Sequence, residues 1–484
     1  MNNNEHLREI RLGYKLDGDT NSYKGRSNGT IIAPPRRGKF DTLIAAMGLT
    51  CRSSMISIDP KGEAACVFGA HRHWNMGQDT WVINPLEQHK PYLEGLPHVG
   101  FNPMDGFSPD ELTHVEKCDR LAGAIMGRSR GGDDNSAFFH ESAKATVGGV
   151  IGGVVYLRPA SEHNLVTVYD IIADPERFFA FVEECMATKD DFLVSRLARF
   201  ACKSARDSKE VDGVLATIRA KFSFLGGRAV RKCLSGPIAF RWDDLRERPT
   251  TVFYTVSLDF ADTCAQLSHL LLSDVLNHFS RPEPGAVPVV ALCDEYRSTL
   301  ANMPLMTEAL SYTAGLGLQV WLLWQDINQI VDATSANSFQ TMLACCGVQV
   351  YFAPQDNFTA RYISDALGET EVITHSKTVS FAAETDWDSL KDAQPHVTVQ
   401  RGQLARRLML PQEVRSLSPH EMIVLAEDVP APFIGLRRSY RETPEFKGLY
   451  GPNPFYPDAG VKAPEPRWGS RGRKFLFGNG RKSA

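Results

Sequence analysis

Residues 29–39 read Gly29-Thr-Ile-Ile-Ala33-Pro-Pro-Arg-Arg-Gly38-Lys39, and an apolar helical pattern (Leu43, Ile44, Ala45, Ala46, Met47) follows directly. A β-branched run, a turn ending in Gly-Lys and then a helix is a narrow prescription. It places backbone N–H groups and the positive end of a helix around one point, with a lysine reaching the same point. Such a turn suits a phosphate group, so Ala33, Pro34, Pro35, Arg36, Arg37, Gly38, Lys39 and Phe40 are the candidate phosphate-binding residues. Two positions depart from the usual pattern. Ala33 takes the place of the first glycine, and Phe40 stands where a Ser or Thr would hold Mg²⁺. If metal ligation limits the site, restoring a hydroxyl with Phe40→Thr is expected to raise turnover.

The flanking chain has the texture of an α/β protein. Apolar strand-like runs occur at 30–32, 55–59 and 81–83, and again at 251–256, 289–293, 320–323, 348–352 and 422–425. Helical patterns separate most of them, which predicts a largely parallel sheet covered on both faces. Between these blocks, residues 106–244 read as helix after helix: one to about Met126 from a capping box at Ser108-Pro-Asp-Glu111, then 136–157, 175–187, 191–204 and 208–225. The expected organisation is therefore a segment 1–27, a discontinuous α/β domain over 28–105 and 245–450, and an all-α domain over 106–244 with a core of its own. A flexible tail would follow over 451–484, carrying six basic residues and no acid from Arg467 onward.

Composition excludes several classes. With 43% apolar residues, 484 residues can bury a large core, and a net charge of −4 supplies no bulk field for nucleic acid. The ten cysteines form no CxxC pair and no metal-ligand spacing, so they read as small core residues in a reducing compartment. The first 25 residues are too polar for a signal peptide, and the apolar run from Ala145 to Leu157 is too short to span a bilayer.

A second acidic element complements the loop. Val289-Val-Ala-Leu-Cys-Asp294-Glu295 is a buried-strand pattern that ends in two acids, at the sheet edge where ligands sit in doubly wound folds. Asp294 is the candidate Mg²⁺ ligand and Glu295 the base that would activate water. An ordinary strand ending in a helix cap is the competing reading. The next strand ends in Gln325, an amide placed to contact a terminal phosphate.

Several ordered segments together resemble the type IV coupling proteins, the conjugative DNA-transfer ATPases of type IV secretion systems. They are Ile31 to Lys39, Ile58-Asp-Pro-Lys-Gly-Glu63, Phe101-Asn-Pro-Met-Asp105, Leu245 to Val252, Cys293-Asp-Glu295 and Ala314-Gly-Leu-Gly317. Trp324-Gln325, Val350 to Asp356, Ala360-Arg-Tyr-Ile-Ser364 and Arg407 to Val414 complete the series. The resemblance runs from about residue 28 to 450. It implies a RecA-like P-loop domain using ATP and Mg²⁺, a homo-hexameric ring, and a small all-α domain at the ring's cytoplasmic entrance. It also implies other type IV secretion components as partners, and a relaxase on single-stranded DNA or a secreted protein as cargo. Carried over by position, Lys39 binds phosphate, Asp294 and Glu295 form the acidic pair, Gln325 is the sensor, and Asp59 and Lys61 lie near the phosphates. Arg361 is the expected arginine supplied to a neighbouring subunit, with Arg297, Arg228 and Arg231 as rivals. The family's N-terminal transmembrane pair has no counterpart here, so either that region lies outside this sequence or a small membrane-anchoring partner replaces it. The resemblance also implies a place in the bacterial cytoplasm, peripheral at the cytoplasmic face of the inner membrane. Two other readings stay open: a nucleotide-binding receptor platform with little ATPase activity, and a double-stranded DNA translocase.

Overall fold

Burial on both faces is what turns these short apolar runs into a central sheet. In the computed structural model, which describes residues 5–127, 134–236, 238–282, 285–294, 304–334, 338–380 and 396–456, all seven residues of Leu318–Trp324 are buried. Val320, Leu322 and Trp324 enter one apolar cluster, while Trp321 and Leu323 enter the other. This period of two, with no polar face, is expected of strands covered by helices on both sides.

The strands are β1 (Ile10–Tyr14), β2 (Thr20–Tyr23), β3 (Asn28–Ile32), β4 (Ser54–Ile58), β5 (Asp79–Ile83), β6 (Thr250–Tyr254) and β7 (Val289–Cys293). They continue with β8 (Leu318–Trp324), β9 (Cys346–Tyr351), β10 (Glu369–Ser380), β11 (His396–Arg407), β12 (Glu421–Ala426) and β13 (Phe433–Leu436). Eleven of them form one sheet in the order β2-β1-β13-β12-β9-β3-β8-β7-β4-β6-β5. The run from β9 to β5 is parallel, and β12, β13, β1 and β2 extend it antiparallel. β10 and β11 pair apart from it as an antiparallel ribbon.

The segment 1–27 is therefore not separate from the sheet domain, because β1 and β2 are strands at one end of that sheet. The register shift between Arg11 and Tyr14, at a left-handed Gly13 (φ 83°), breaks the alternation by which such strands are read. The start of the proposed tail is also fixed: the Gly451 N–H donates to the Val67 carbonyl at 2.7 Å, and Asn453 Nδ2 to Glu63 Oε1 at 3.0 Å. Its remainder, with the basic residues, lies outside the described residues.

Residues 106–244 are helical as expected, through α3 (His114–Met126), α4 (Asp134–Leu157), α5 (Leu165–Ala173), α6 (Pro175–Thr188), α7 (Asp191–Leu197), α8 (Lys209–Phe222) and α9 (Arg228–Ser235). The first begins at His114, because Ser108 and Glu111 close a turn instead and Glu111 pairs with Lys117. Their core is not separate. Buried side chains run without a break from Ile58 and Tyr254 of the sheet to Phe178 and Phe222 of the insertion. After the single turn α10 (Asp244–Glu247), the long helix α11 (Ala261–Phe279) joins the two, with Gln266 Nε2 donating to the Ile125 carbonyl of α3. Among the described residues no helix is long and apolar enough to cross a membrane.

On the other face of the sheet, α1 (Ala45–Thr50) packs on α2 (Glu63–Ala70) so closely that a Cβ on Gly48 would lie 2.5 Å from the Phe68 ring. Fully buried Arg72 fixes the end of α1 by donating to the carbonyls of Gly48, Cys51 and Ser53 and to Thr251 Oγ1. Those carbonyls have no helical partner, so the guanidinium serves as their cap.

Candidate nucleotide site

One sheet edge gathers the chemistry. Hydrogen bonds just beyond the strand ends align the tips: the Ala33 N–H donates to the Trp324 carbonyl at 2.9 Å, Phe352 to Ile32 at 3.0 Å, Asp294 to Ile58 at 3.0 Å and Asp59 to Tyr254 at 3.0 Å. Ala33, Asp59, Asp294 and Gln325 thus leave neighbouring parallel strands at the same level. This is the carboxyl edge at which open α/β sheets bind ligands.

The loop from Ala33 to Lys39 has two residues in the left-handed region, Arg36 (φ 59°) and Gly38 (φ 78°). That backbone conformation is costly for Arg36, which carries a Cβ, and nearly free for Gly38, which explains the glycine. The Arg37 N–H donates to the Pro34 carbonyl at 3.3 Å, and Thr42 closes the next turn with its N–H and hydroxyl on the Gly38 carbonyl at 2.9 and 2.8 Å. The Lys39 ammonium lies 2.8 Å from Asp294 Oδ1, and both side chains are almost wholly buried.

Asp59 lies alongside them and is buried. Its two carboxylate oxygens accept the N–H groups of Lys61 at 2.9 Å and Ala64 at 2.7 Å, which caps α2. Burial and then the nearby Asp294 charge lift its pKa to about 7, against the pull of those amide donors. Lys61 is held by its carbonyl, which is bonded by His89 and Gln88. Glu63 is pushed upward by burial, with Asn453 opposing.

Phe40 does not face the loop. It is buried in the apolar cluster of α1, and its ring meets Tyr440 edge-on at 6.4 Å between centroids. The departure at this position is a packing residue for a strap that the sequence reading missed. Residues 437–453 cross the loop and both following helices. The Tyr440 N–H donates to the Asp41 carbonyl at 2.9 Å, while Ser439 and Arg441 hold the Asp41 carboxylate at 3.0 and 3.2 Å. Arg437 Nη1 donates to the Arg37 carbonyl at 2.7 Å. Lone polar residues 400 positions from the loop give no sequence periodicity that could have revealed them.

The other expected residues are distributed differently. The Gln325 N–H is bonded by Gln329 Oε1 at 3.1 Å, immediately after the carbonyl that holds Ala33. Arg361 is exposed on the helix Asn357–Leu367, and its side chain makes no ion pair among the described residues. Arg231 is committed to Asp170 through two 2.8 Å bonds, and Arg228 starts α9 in the insertion. Glu295 and Arg297 lie outside the described residues.

Asp294 offers hard oxygen ligands, whereas the Asp59 oxygens are engaged by amides. Among the described residues no group of three or more His, Cys, Asp or Glu could hold a metal by itself. Mg²⁺ takes one or two carboxylates and completes its shell with water and phosphate oxygens, so the Asp294 carboxylate at this sheet edge is a donor of the kind it uses.

A glycine-lysine turn between β3 and α1, faced by an acid from β7 on a parallel sheet, is a RecA-like P-loop nucleotide-binding fold with an all-α insertion. The chain belongs to the family described as Type IV secretory system Conjugative DNA transfer, whose model matches residues 6–451. It is 24% identical over 409 residues to Protein VirD4 of Rhizobium radiobacter, covering 83% of this chain and 55% of that protein. Conjugal transfer protein TraG of Escherichia coli is 29% identical over 395 residues, covering 77% and 60%. The chain thus spans a little over half the length of these relatives. Among solved structures, the unbound bacterial conjugative coupling protein TrwBdeltaN70 aligns over 91% of both chains with a TM-score of 0.62 at 17% identity. The same plasmid coupling protein in complex with ADP and Mg²⁺ aligns over 87% of this chain and 88% of its own at 0.59, also at 17% identity. The match from residue 6 takes in β1 and β2, which lie upstream of the resemblance read in the sequence.

Proposed function

We propose that this chain is the ATP-hydrolysing coupling subunit of a conjugative or type IV secretion system. It would act as a homo-hexameric ring at the cytoplasmic face of the inner membrane. The observation that carries the reading is the buried Lys39–Asp294 pair at the tips of β3 and β7, flanked by Gln325. TrwB, which shares the fold, binds ADP with Mg²⁺, and the nucleotide assignment here rests on that parallel together with the loop.

Each group has a task that follows from its position. Lys39 and the loop amides would bind the β- and γ-phosphates, and Asp294 would hold the Mg²⁺ shell. When bound, Mg²⁺ neutralises charge that develops on the transferred phosphoryl group. Glu295, next in sequence, would orient and deprotonate water, and Gln325 would report the terminal phosphate. Arg361, exposed on its helix, would serve a neighbouring protomer rather than its own loop. The cargo would be single-stranded DNA with its relaxase, or a secreted protein, received through the all-α domain. Other secretion components and a small membrane anchor would complete the assembly.

The buried Phe40 favours one other reading, a platform that holds nucleotide and turns it over slowly. Steady-state phosphate release at high protein concentration, with and without single-stranded DNA, separates the two. Stimulated release supports the motor, and tight ATP binding without release supports the platform.

A further inference from the structure

We infer that Arg437, which belongs to neither the loop nor the acidic pair, is a positioning residue that sets the phosphate-facing amide of the loop. This deepens the nucleotide reading above and rests on it.

The guanidinium is buried, with only 5% of the residue exposed, and no carboxylate pairs with it among the described residues. Instead it bridges three backbone carbonyls. Nη1 donates to Arg37 at 2.7 Å, Nε to Glu421 at 3.1 Å and Nη2 to Pro419. Its plane lies 3.7 Å over the Phe352 ring, at the end of β9. A buried cation is costly to retain, and a lysine could not donate in three directions from one fixed plane.

The consequence falls on one peptide plane. In a trans peptide the carbonyl and the following N–H point in opposite directions. Arg437 draws the Arg37 carbonyl toward β12 and β13, so the Gly38 N–H is turned the other way. Arg36 at φ 59° and Gly38 at φ 78° lie on either side of Arg37, left-handed positions of the kind that let successive backbone amides converge on an anion. The Gly38 N–H donates to no group among the described residues. Arg437 thus fixes the donor without approaching the ligand.

The test compares Arg437→Met, Arg437→Lys and Tyr450→Leu in the full chain. Tyr450 meets Tyr440 edge-on at 4.8 Å between ring centroids in the same strap, whereas the Arg37 carbonyl is bonded by Arg437, so loss of the Tyr450 ring reports the strap's stability. Calorimetric titration uses Mg·ATP and inorganic pyrophosphate, with thermal melts in parallel. Arg437→Met is expected to weaken both ligands by the same factor, about tenfold, because one phosphate contact is lost in each. Arg437→Lys should regain part of that affinity, and KM should rise with kcat nearly unchanged. Tyr450→Leu should lower the melting temperature and keep both affinities. Equal loss of affinity in Tyr450→Leu and Arg437→Met would overturn the proposal, as would wild-type affinity in Arg437→Met. If the unsubstituted chain binds neither ATP nor pyrophosphate, the nucleotide reading itself fails and takes this inference with it.

Discussion

Lys39 and Asp294 meet at 2.8 Å with 11% and 7% of their side chains exposed, so the cation of the loop and the acid of β7 are neutralised together inside the fold. Removing one charge leaves the other buried beside Asp59. Lys39→Ala is therefore expected to lose nucleotide binding and also to destabilise the protein by about 3 kcal/mol. Denaturant titration of Lys39→Ala and of the double variant Lys39→Ala/Asp294→Asn checks this. The double variant should recover part of the stability and none of the binding. Unchanged ATP affinity in Lys39→Ala would remove the site assignment.

Phe40→Thr is expected to give the opposite result to the one the sequence suggests. The hydroxyl would not enter a metal shell, because the side chain points into the apolar cluster against Tyr440. Truncating the ring and burying a hydroxyl should cost about 3 kcal/mol. Thermal melts should show a fall in Tm, and phosphate release with Mg²⁺ should show no gain. A faster enzyme of unchanged stability would contradict this placement.

Glu295→Gln should retain ATP affinity and lose turnover. The amide keeps the shape of the carboxylate but has no comparable proton affinity, and general-base loss costs roughly 10²–10⁴ in rate. Single-turnover phosphate release and ATP titration on the same sample measure both. Hydrolysis at the wild-type rate would place the base elsewhere.

The parts of this molecule legible in the sequence are those with a strong local signal. The runs at 289–293 and 320–323 were readable because both faces are apolar, and Asp294 because it follows such a run. Gly38-Lys39 was readable because the positive φ and the lysine are needed at adjacent positions. The strap was not, since Arg437, Ser439, Tyr440 and Arg441 act at the loop through single contacts across about 400 positions of sequence separation. Nor was the shared core, because apolar faces of α3 and α11 look alike whether they pack within one domain or between two. The ribbon of β10 and β11 was missed for another reason. Every residue described from Ser376 to Val379 and from Val397 to Gln403 is exposed, so no face is consistently apolar.

The junction between the insertion and the sheet domain predicts a pH dependence. Asp274 of α11 accepts the Trp242 Nε1–H at 2.6 Å, and burial raises its pKa to about 6, while Trp242, Arg120 and Arg281 act to lower it. The ordinary aspartate value is about 3.9, so between the two values the folded protein holds a proton that the unfolded chain has released. Stability then falls as pH rises through that window and levels off above pH 6. Asp274→Asn keeps an acceptor for Trp242 and removes the titration. Its Tm relative to wild type should therefore increase from pH 4.5 to about 6 and stay constant from there to about 7.5. A difference that is flat across the whole range would show that Asp274 is ionised in the folded state throughout, held by Arg120 and Arg281 more strongly than burial opposes it.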